Sequence, residues 1–345
     1  MHLERGDPNF PANLSIAPST RAALAVPSHS PDDSDSEDAA QDIERFGIAG
    51  RTWEAAYLLR SYLTLSPTTL PVFDPPCPLF VPTPTHRKSS RKRTVLELGA
   101  GTGFLSLSLA PHLSPAEDRL VVTDLANVCP LLQENLAAAE RRWAARGVRP
   151  AEVLVRPLPW GDSAALAALL AEDLAPDIVL ASDLIYFEFL YAPLLRTLLG
   201  LTEPDNEGHS AIVLFSYKIR SLVKEQPFWE TFGRWFALEA VQVGTRAPYP
   251  PCGPTDPEFP PDAPSPAPPL TWARLGAAHP SSTTPGTTDE LYVFICTRHP
   301  TTYGAATAVA RVSDDELLQG INAARGEEAG ASQFEEMIFA GLEWD

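Results

Sequence analysis

Glycines at 99, 101 and 103 interrupt an apolar run, Val95-Leu96-Glu97-Leu98-Gly99-Ala100-Gly101-Thr102-Gly103-Phe104. A strand that breaks into alternating glycines lays its backbone around a nucleotide-like ligand. The dinucleotide fingerprint G-x-G-x-x-G needs its third glycine where Phe104 stands, so the spacing argues against a pyrophosphate. The methionine half of S-adenosylmethionine instead needs room beside the turn and a carboxylate close by, which Glu97 supplies. A second acid follows about 20 residues on: Leu120-Val121-Val122-Thr123-Asp124 is a β-branched run ending in a carboxylate, where two vicinal ribose hydroxyls can be chelated. The competing interpretation is a glycine turn that merely packs a helix on a sheet, with Asp124 a surface acid. Glu97, the glycines and Asp124 in this order favour S-adenosylmethionine.

The elements that must position these residues alternate along the chain. Strands are expected at Val95–Leu98, Leu120–Asp124, Glu152–Arg156, Ile178–Ser182, Ala211–Tyr217, Phe236–Val243 and Leu291–Thr297. Helices are expected at Thr52–Leu63, after Phe104, and near Val128–Arg146, Ser163–Glu172, Tyr191–Leu199 and Val223–Trp235. Seven strands alternating with helices make an α/β fold with a mostly parallel sheet. Such a sheet opens its crevice at the strand carboxyl ends, so Glu97, Asp124, Pro159-Trp160 and Asp183 are expected along one edge.

Outside this core the chain changes character. Residues 1–45 are rich in Pro, Ser and Asp, include Asp32-Asp33-Ser34-Asp35-Ser36-Glu37-Asp38, and are expected to form a disordered acidic tail, with order beginning near Phe46. The core domain then runs over 46–299. Within it, residues 245–288 carry Pro250-Pro251, Pro260-Pro261 and Pro268-Pro269 and are expected to be an insertion that cannot continue a sheet. Two acid-rich helical patterns, Asp314–Ala324 and Gln333–Leu342, are expected as a peripheral tail over 300–345.

Composition narrows the class. The net charge of −18 argues against nucleic acid as a partner, because a duplex is met first by a basic face that releases counterions. The basic run His86–Arg93 reads as a solvated loop, with a nuclear-import or nucleic-acid patch as the alternative. Cys77, Cys129, Cys252 and Cys296 are far apart and match neither zinc nor disulfide spacing, so no metal is expected and a reducing, intracellular setting fits. No apolar stretch reaches the roughly 20 residues that cross a bilayer, and no signal peptide is evident.

From about Thr52 to Thr297 the chain resembles the seven-strand methyltransferases, and within them the lysine methyltransferases that modify chaperones and translation elongation factors. The resemblance is carried by Trp53 in the leading helix, the Glu97–Gly103 loop, Asp124, Leu158-Pro159-Trp160-Gly161 and Ser182-Asp183-Leu184-Ile185-Tyr186, the last matching the family's D-x-x-Y motif. It implies a Rossmann-like sheet with an antiparallel last strand and helices on both faces. It also implies a cofactor site built from Trp53, Glu97, Gly99, Ala100, Gly101, Gly103, Asp124, Trp160 and Ser182. In that site Trp53 lies toward the methionine end and Trp160 flanks the adenine.

The same resemblance makes Asp183 and Tyr186 the catalytic pair, with Asp183 orienting a lysine amine first and accepting its proton second. Phe187 and Phe189 narrow the channel. The competing interpretation makes Asp183 a cap on the helix that follows it. Tyr217-Lys218-Ile219-Arg220 reads as a solvated strand end, with cations at the site edge as the alternative. The expected activity is S-adenosylmethionine-dependent methylation of a protein lysine by a cytoplasmic monomer, with an elongation factor favoured as partner and a chaperone second. Methylation of RNA or a small metabolite, or a silent cofactor-binding adaptor, are the competing functions.

Overall fold

The computed structural model describes residues 9–10, 16–19, 40–64, 71–81, 91–246, 269–277, 290–320 and 334. The acidic run at 32–38, most of the basic run at 86–93, Cys252 and nearly all of the expected helix at 333–342 lie outside them. In chain order the helices are α1 (Ala40–Phe46), α2 (Glu54–Thr64), α3 (Phe104–Leu109), α4 (Cys129–Ala145), α5 (Ser163–Ala171), α6 (Tyr191–Leu201), α7 (Leu222–Trp235), α8 (Ala306–Val309) and α9 (Asp314–Leu318). The strands are β1 (Val72–Asp74), β2 (Arg93–Leu98), β3 (Asp118–Asp124), β4 (Glu152–Pro157), β5 (Ile178–Ser182), β6 (Ile212–Lys218), β7 (Phe236–Ala240), β8 (Gln242–Arg246), β9 (Leu270–Arg274) and β10 (Leu291–Arg298).

Seven strands form the main sheet in the order β4-β3-β2-β5-β6-β10-β7. The first five run parallel, and β10 is antiparallel to both β6 and β7. Parallel strands buried on both faces are nearly continuous apolar runs, and residues 178–181 of β5 are all buried. Alternate side chains feed two cores. Leu96, Val121, Val179 and Phe215 pack with α5, α6 and α7 on one face, while Val95, Leu120, Ile178 and Leu180 pack with α2, α3 and α4 on the other. Chain order reverses between β2 and β5, which are register neighbours through Leu98 and Ala181. The connections after β2 and β5 therefore diverge there and open the crevice.

Three expectations are corrected. The run Phe236–Val243 does not form one strand: it breaks at the buried Val241, and β8 leaves the main sheet to pair with β1 and β9 in a separate three-stranded sheet. The segment 245–288 is not sheet-free, because β9 lies within it and β8 extends to Arg246. Its proline crowding ends at Pro269, and the following Leu270–Arg274 has every backbone N–H needed for a ladder. Order also begins earlier than Phe46, with α1 starting at Ala40 and the buried Asn9 accepting a hydrogen bond from the Ile48 N–H on its carbonyl (2.9 Å).

At the other end α9 opens with a capping box formed by Ser313 and Glu316. Arg196 of α6 anchors it by donating to the Val312 carbonyl (3.1 Å) and the Asp314 carboxylate (3.0 Å). Phe334 stacks on Trp229 with ring centroids 4.7 Å apart. Among the described residues, no helix is long and apolar enough to cross a membrane.

Candidate active site

After Leu98 the chain turns through Gly99 and Gly101 at φ +57° and +55°, a backbone region that side chains with a Cβ rarely adopt. Space forbids a Cβ there as well. At Gly99 it would stand 2.8 Å from the Trp160 ring and 2.9 Å from Leu184, and at Gly101 it would stand 2.8 Å from the Ala49 carbonyl. The turn is tied to β3 by Ala100, whose N–H donates to the Thr123 carbonyl (3.0 Å). Gly103 closes it as the residue before α3.

Two carboxylates stand beneath this loop. Glu97, on the α3 side of β2, accepts from the Ser106 N–H (3.0 Å), one of the donors that a helix cannot satisfy in its own first turn. Asp124 ends β3 and accepts from Gly101 N–H (2.8 Å) and Leu125 N–H (2.7 Å). Both are buried. Burial pushes Glu97 up to about 7, with the neighbouring Asp124 charge adding to it and the Ser106 hydrogen bonds opposing. Burial likewise pushes Asp124 up to about 6 against its two backbone donors.

Glu97, Gly99, Ala100, Gly101 and Asp124 share one cleft of about 470 Å³ with Trp53, Trp160, Ser182, Asp183 and Tyr186. Gly103 is the one expected cofactor residue that does not line this cleft; it holds the turn from behind, facing Leu132. The Trp160 ring covers Gly99 and meets Tyr186 edge-on, with centroids 6.4 Å apart. Ser182 accepts from the Ser216 hydroxyl (3.0 Å). Burial pushes the Tyr186 phenol above its ordinary value. Tyr186, Phe187 and Phe189 form a chain of rings, the last pair stacked at 5.4 Å with Phe189 reaching solvent.

Asp183 is where the structure departs most from the sequence expectations. The residue sits at φ +58° and its carboxylate does not cap the segment that follows. Instead Oδ1 accepts from the Lys218 N–H (3.1 Å) and Arg220 Nη1 (2.9 Å), and Oδ2 accepts from Arg220 Nη2 (3.0 Å) and the Ala55 N–H at the start of α2 (3.4 Å). It caps a helix distant in sequence and holds a two-pronged ion pair. Arg220, read from sequence as the end of a solvated strand, is a wall of the cleft.

Around that pair the first turn of α2 contributes Glu54, whose carboxylate lies 3.7 Å from Arg220, 4.0 Å from Lys218 and 2.7 Å from Arg51. Trp53 lies between Arg51 and Arg220, with guanidinium carbons 4.3 and 5.2 Å from the ring centroid, and its indole N–H donates to the Ile48 carbonyl (3.1 Å). Sequence reasoning missed Asn9, Arg51 and Thr52 as cleft residues and Glu54 as a partner of Arg220. The one signal for Arg220 was its place at the carboxyl end of a central strand, which is too common a location to single it out.

The arrangement suits a nucleoside-sized ligand carrying a positive centre: a glycine cradle, two desolvated carboxylates and flat rings, in a volume typical of small-molecule sites. A family model described as lysine methyltransferase matches residues 32–234. The protein-lysine N-methyltransferase EFM6 of Saccharomyces cerevisiae is 31% identical over 193 residues, covering 52% of this chain and 68% of its own. The protein N-lysine methyltransferase METTL21A of Danio rerio is 27% identical over 211 residues, covering 60% of this chain and 77% of its own. A solved precorrin-6y C5,15-methyltransferase from Geobacter metallireducens matches 70% of this chain and 87% of its own at 12% identity, with a TM-score of 0.32.

Proposed function

Because the chain belongs to the lysine methyltransferase family, with S-adenosylmethionine as its methyl donor, we propose that the cleft at the β2/β5 crevice binds that donor and methylates a lysine of a translation elongation factor. The observation that carries the site is the convergence of Glu97, Asp124 and Asp183, from three different strand ends, on one cleft. The substrate choice, and the setting of a cytoplasmic monomer, rest on the resemblance described above.

When bound, the donor supplies an electrophilic methyl group on a sulfonium. Asp124 keeps lone pairs for the ribose hydroxyls beyond its two backbone donors, Glu97 faces the methionine portion, and Trp160 offers its ring to the base. Trp53, fixed through Ile48, closes the methionine end. Asp183 and Tyr186 meet the acceptor lysine, whose stem passes the Phe187–Phe189 rings. The amine must be neutral to attack, and with a reference pKa about 3.4 units above pH 7 its deprotonation costs roughly 4.6 kcal/mol. Proton loss to water is therefore part of the barrier.

The test is incubation of the protein with labelled S-adenosylmethionine and a lysate from cells that lack it. One or a few labelled protein bands are expected, with the mark on lysine of an elongation factor by mass spectrometry. Label confined to RNA or small molecules, or no label at all, overturns the assignment.

A second expectation concerns pH. With Glu97 ionising near 7 and Asp124 near 6, affinity for S-adenosylmethionine should fall at least tenfold or so between pH 7.5 and 5.5, as each carboxylate takes a proton. Glu97 and Asp124 do not themselves drive acid unfolding. A raised carboxyl pKa stabilises the free fold at low pH, and that contribution is lost as pH rises through about 6 to 7. Calorimetric titration across the range checks it, and Glu97→Gln should flatten the upper part of the slope. A constant affinity over this range would remove both acids from the binding site.

A further inference from the structure

Resting on that assignment of the lysine site, we propose that Arg220 is a positioning residue that offsets the charge of Asp183, so that the acceptor lysine meets a neutralised ion pair and is held as the free amine.

The argument begins with a conflict of charge. A bare carboxylate beside the acceptor favours the ammonium form, which binds well and cannot attack. The geometry removes the conflict. Arg220 takes both oxygens of Asp183 at 2.9 and 3.0 Å, in the planar two-pronged fit that an ammonium cannot reproduce. Asp183 is almost wholly buried while Arg220 keeps one flank in the cleft, so the acceptor nitrogen arriving at this pair faces a cation as closely as an anion.

The charged groups around Arg220 come from four elements: Asp183 after β5, Glu54 and Arg51 around the start of α2, Lys218 at the end of β6 and Glu225 in the first turn of α7. Glu225 is spent on Tyr217 and on the Ser221 and Arg220 backbone N–H groups. Glu54 is shared with Arg51 and Lys218. Trp53 covers one face of the Arg220 guanidinium and holds it in place. The step assigned to this arrangement is a proton transfer alone: the lysine ammonium releases its proton to water, and the nitrogen lone pair is left free beside Asp183.

The experiment compares wild type with Arg220→Met and Arg220→Lys on the acceptor identified by the labelled lysate, measuring kcat and KM from pH 6.5 to 10 at saturating donor. The kcat profile reports ionisation within the bound complex. With the cation removed, the bound lysine is held as ammonium, so the rising limb of kcat should move up by about one pH unit, a loss of about tenfold at pH 7 that closes at high pH. KM at pH 7 should fall, because the bare aspartate grips the ammonium. Arg220→Lys, which keeps the charge and loses the fork, should recover most of the profile.

A merely structural role would lower kcat by the same factor at every pH and raise KM. That result, or a profile coincident with wild type, overturns the proposal. Should Arg220→Met fail to fold, Arg220→Gln with the same measurements stands in for it. If wild type labels no lysine, the fault lies with the assignment of function, which the lysate experiment detects separately.

Discussion

Asp183→Asn is expected to lower kcat about 100-fold to 1,000-fold while leaving S-adenosylmethionine affinity within a few-fold of wild type. Asparagine is the informative substitution because it tolerates the left-handed backbone that Asp183 adopts at φ +58° and keeps its size. Four donors converge on the carboxylate: the Lys218 and Ala55 N–H groups and both prongs of Arg220. A carboxamide offers one acceptor oxygen and turns a second donor toward them, so at least one donor is left facing another. The Arg220 charge then keeps Glu54, at 3.7 Å, and the more distant Glu225, and loses its two-pronged partner. Leaving a buried donor unpaired costs about 1–3 kcal/mol, which shifts Tm by several degrees without unfolding the chain. Kinetics, calorimetry and a thermal melt on one preparation separate the effects. A kcat within twofold of wild type would exclude Asp183 from the reaction, and a matching loss of cofactor binding would make it a cofactor residue instead.

The sequence made this site readable only where local chemistry is self-contained. The Glu97–Gly103 loop announces itself because strand, acid and glycines are contiguous, and the inner strands β5 and β6 announce themselves because burial on both faces leaves the apolar runs at 178–181 and 212–215. Asp183 was identifiable as a residue and not as a partner. Its donors come from positions 55, 218 and 220, and which backbone donors a carboxylate finds across the β5/β6 register is a property of the fold. Arg220 was hidden for the same reason, since a cation at a strand end has the same local pattern whether it faces solvent or a buried acid. The small sheet of β1, β8 and β9 was missed because none of its strands exceeds five residues and their partners are far apart in sequence. Proline density then masked the one segment, Leu270–Arg274, that carries ordinary strand residues.

Gly101→Arg should abolish measurable S-adenosylmethionine binding, a loss of more than about 100-fold, and with it all methylation. Three constraints act at this position. Its backbone at φ +55° disfavours any residue with a Cβ by about 1–2 kcal/mol, and its N–H is the donor that holds Asp124 Oδ2 at 2.8 Å. A Cβ would also meet the Ala49 carbonyl at 2.8 Å, so the first casualty is the Gly47–Gly50 turn rather than the cradle itself. That turn carries the Ile48 carbonyl that fixes Trp53 and the Ile48 N–H bound by Asn9, so displacing it opens the Trp53 end of the cleft. Gly101→Ala keeps the backbone strain and the Cβ contact and removes only the arginine stem: it should bind about tenfold more weakly than wild type. Calorimetry on all three proteins gives the order, with a thermal melt showing that the arginine variant remains folded. If Gly101→Arg binds the donor as tightly as wild type, the glycine loop is a packing turn and the donor lies elsewhere.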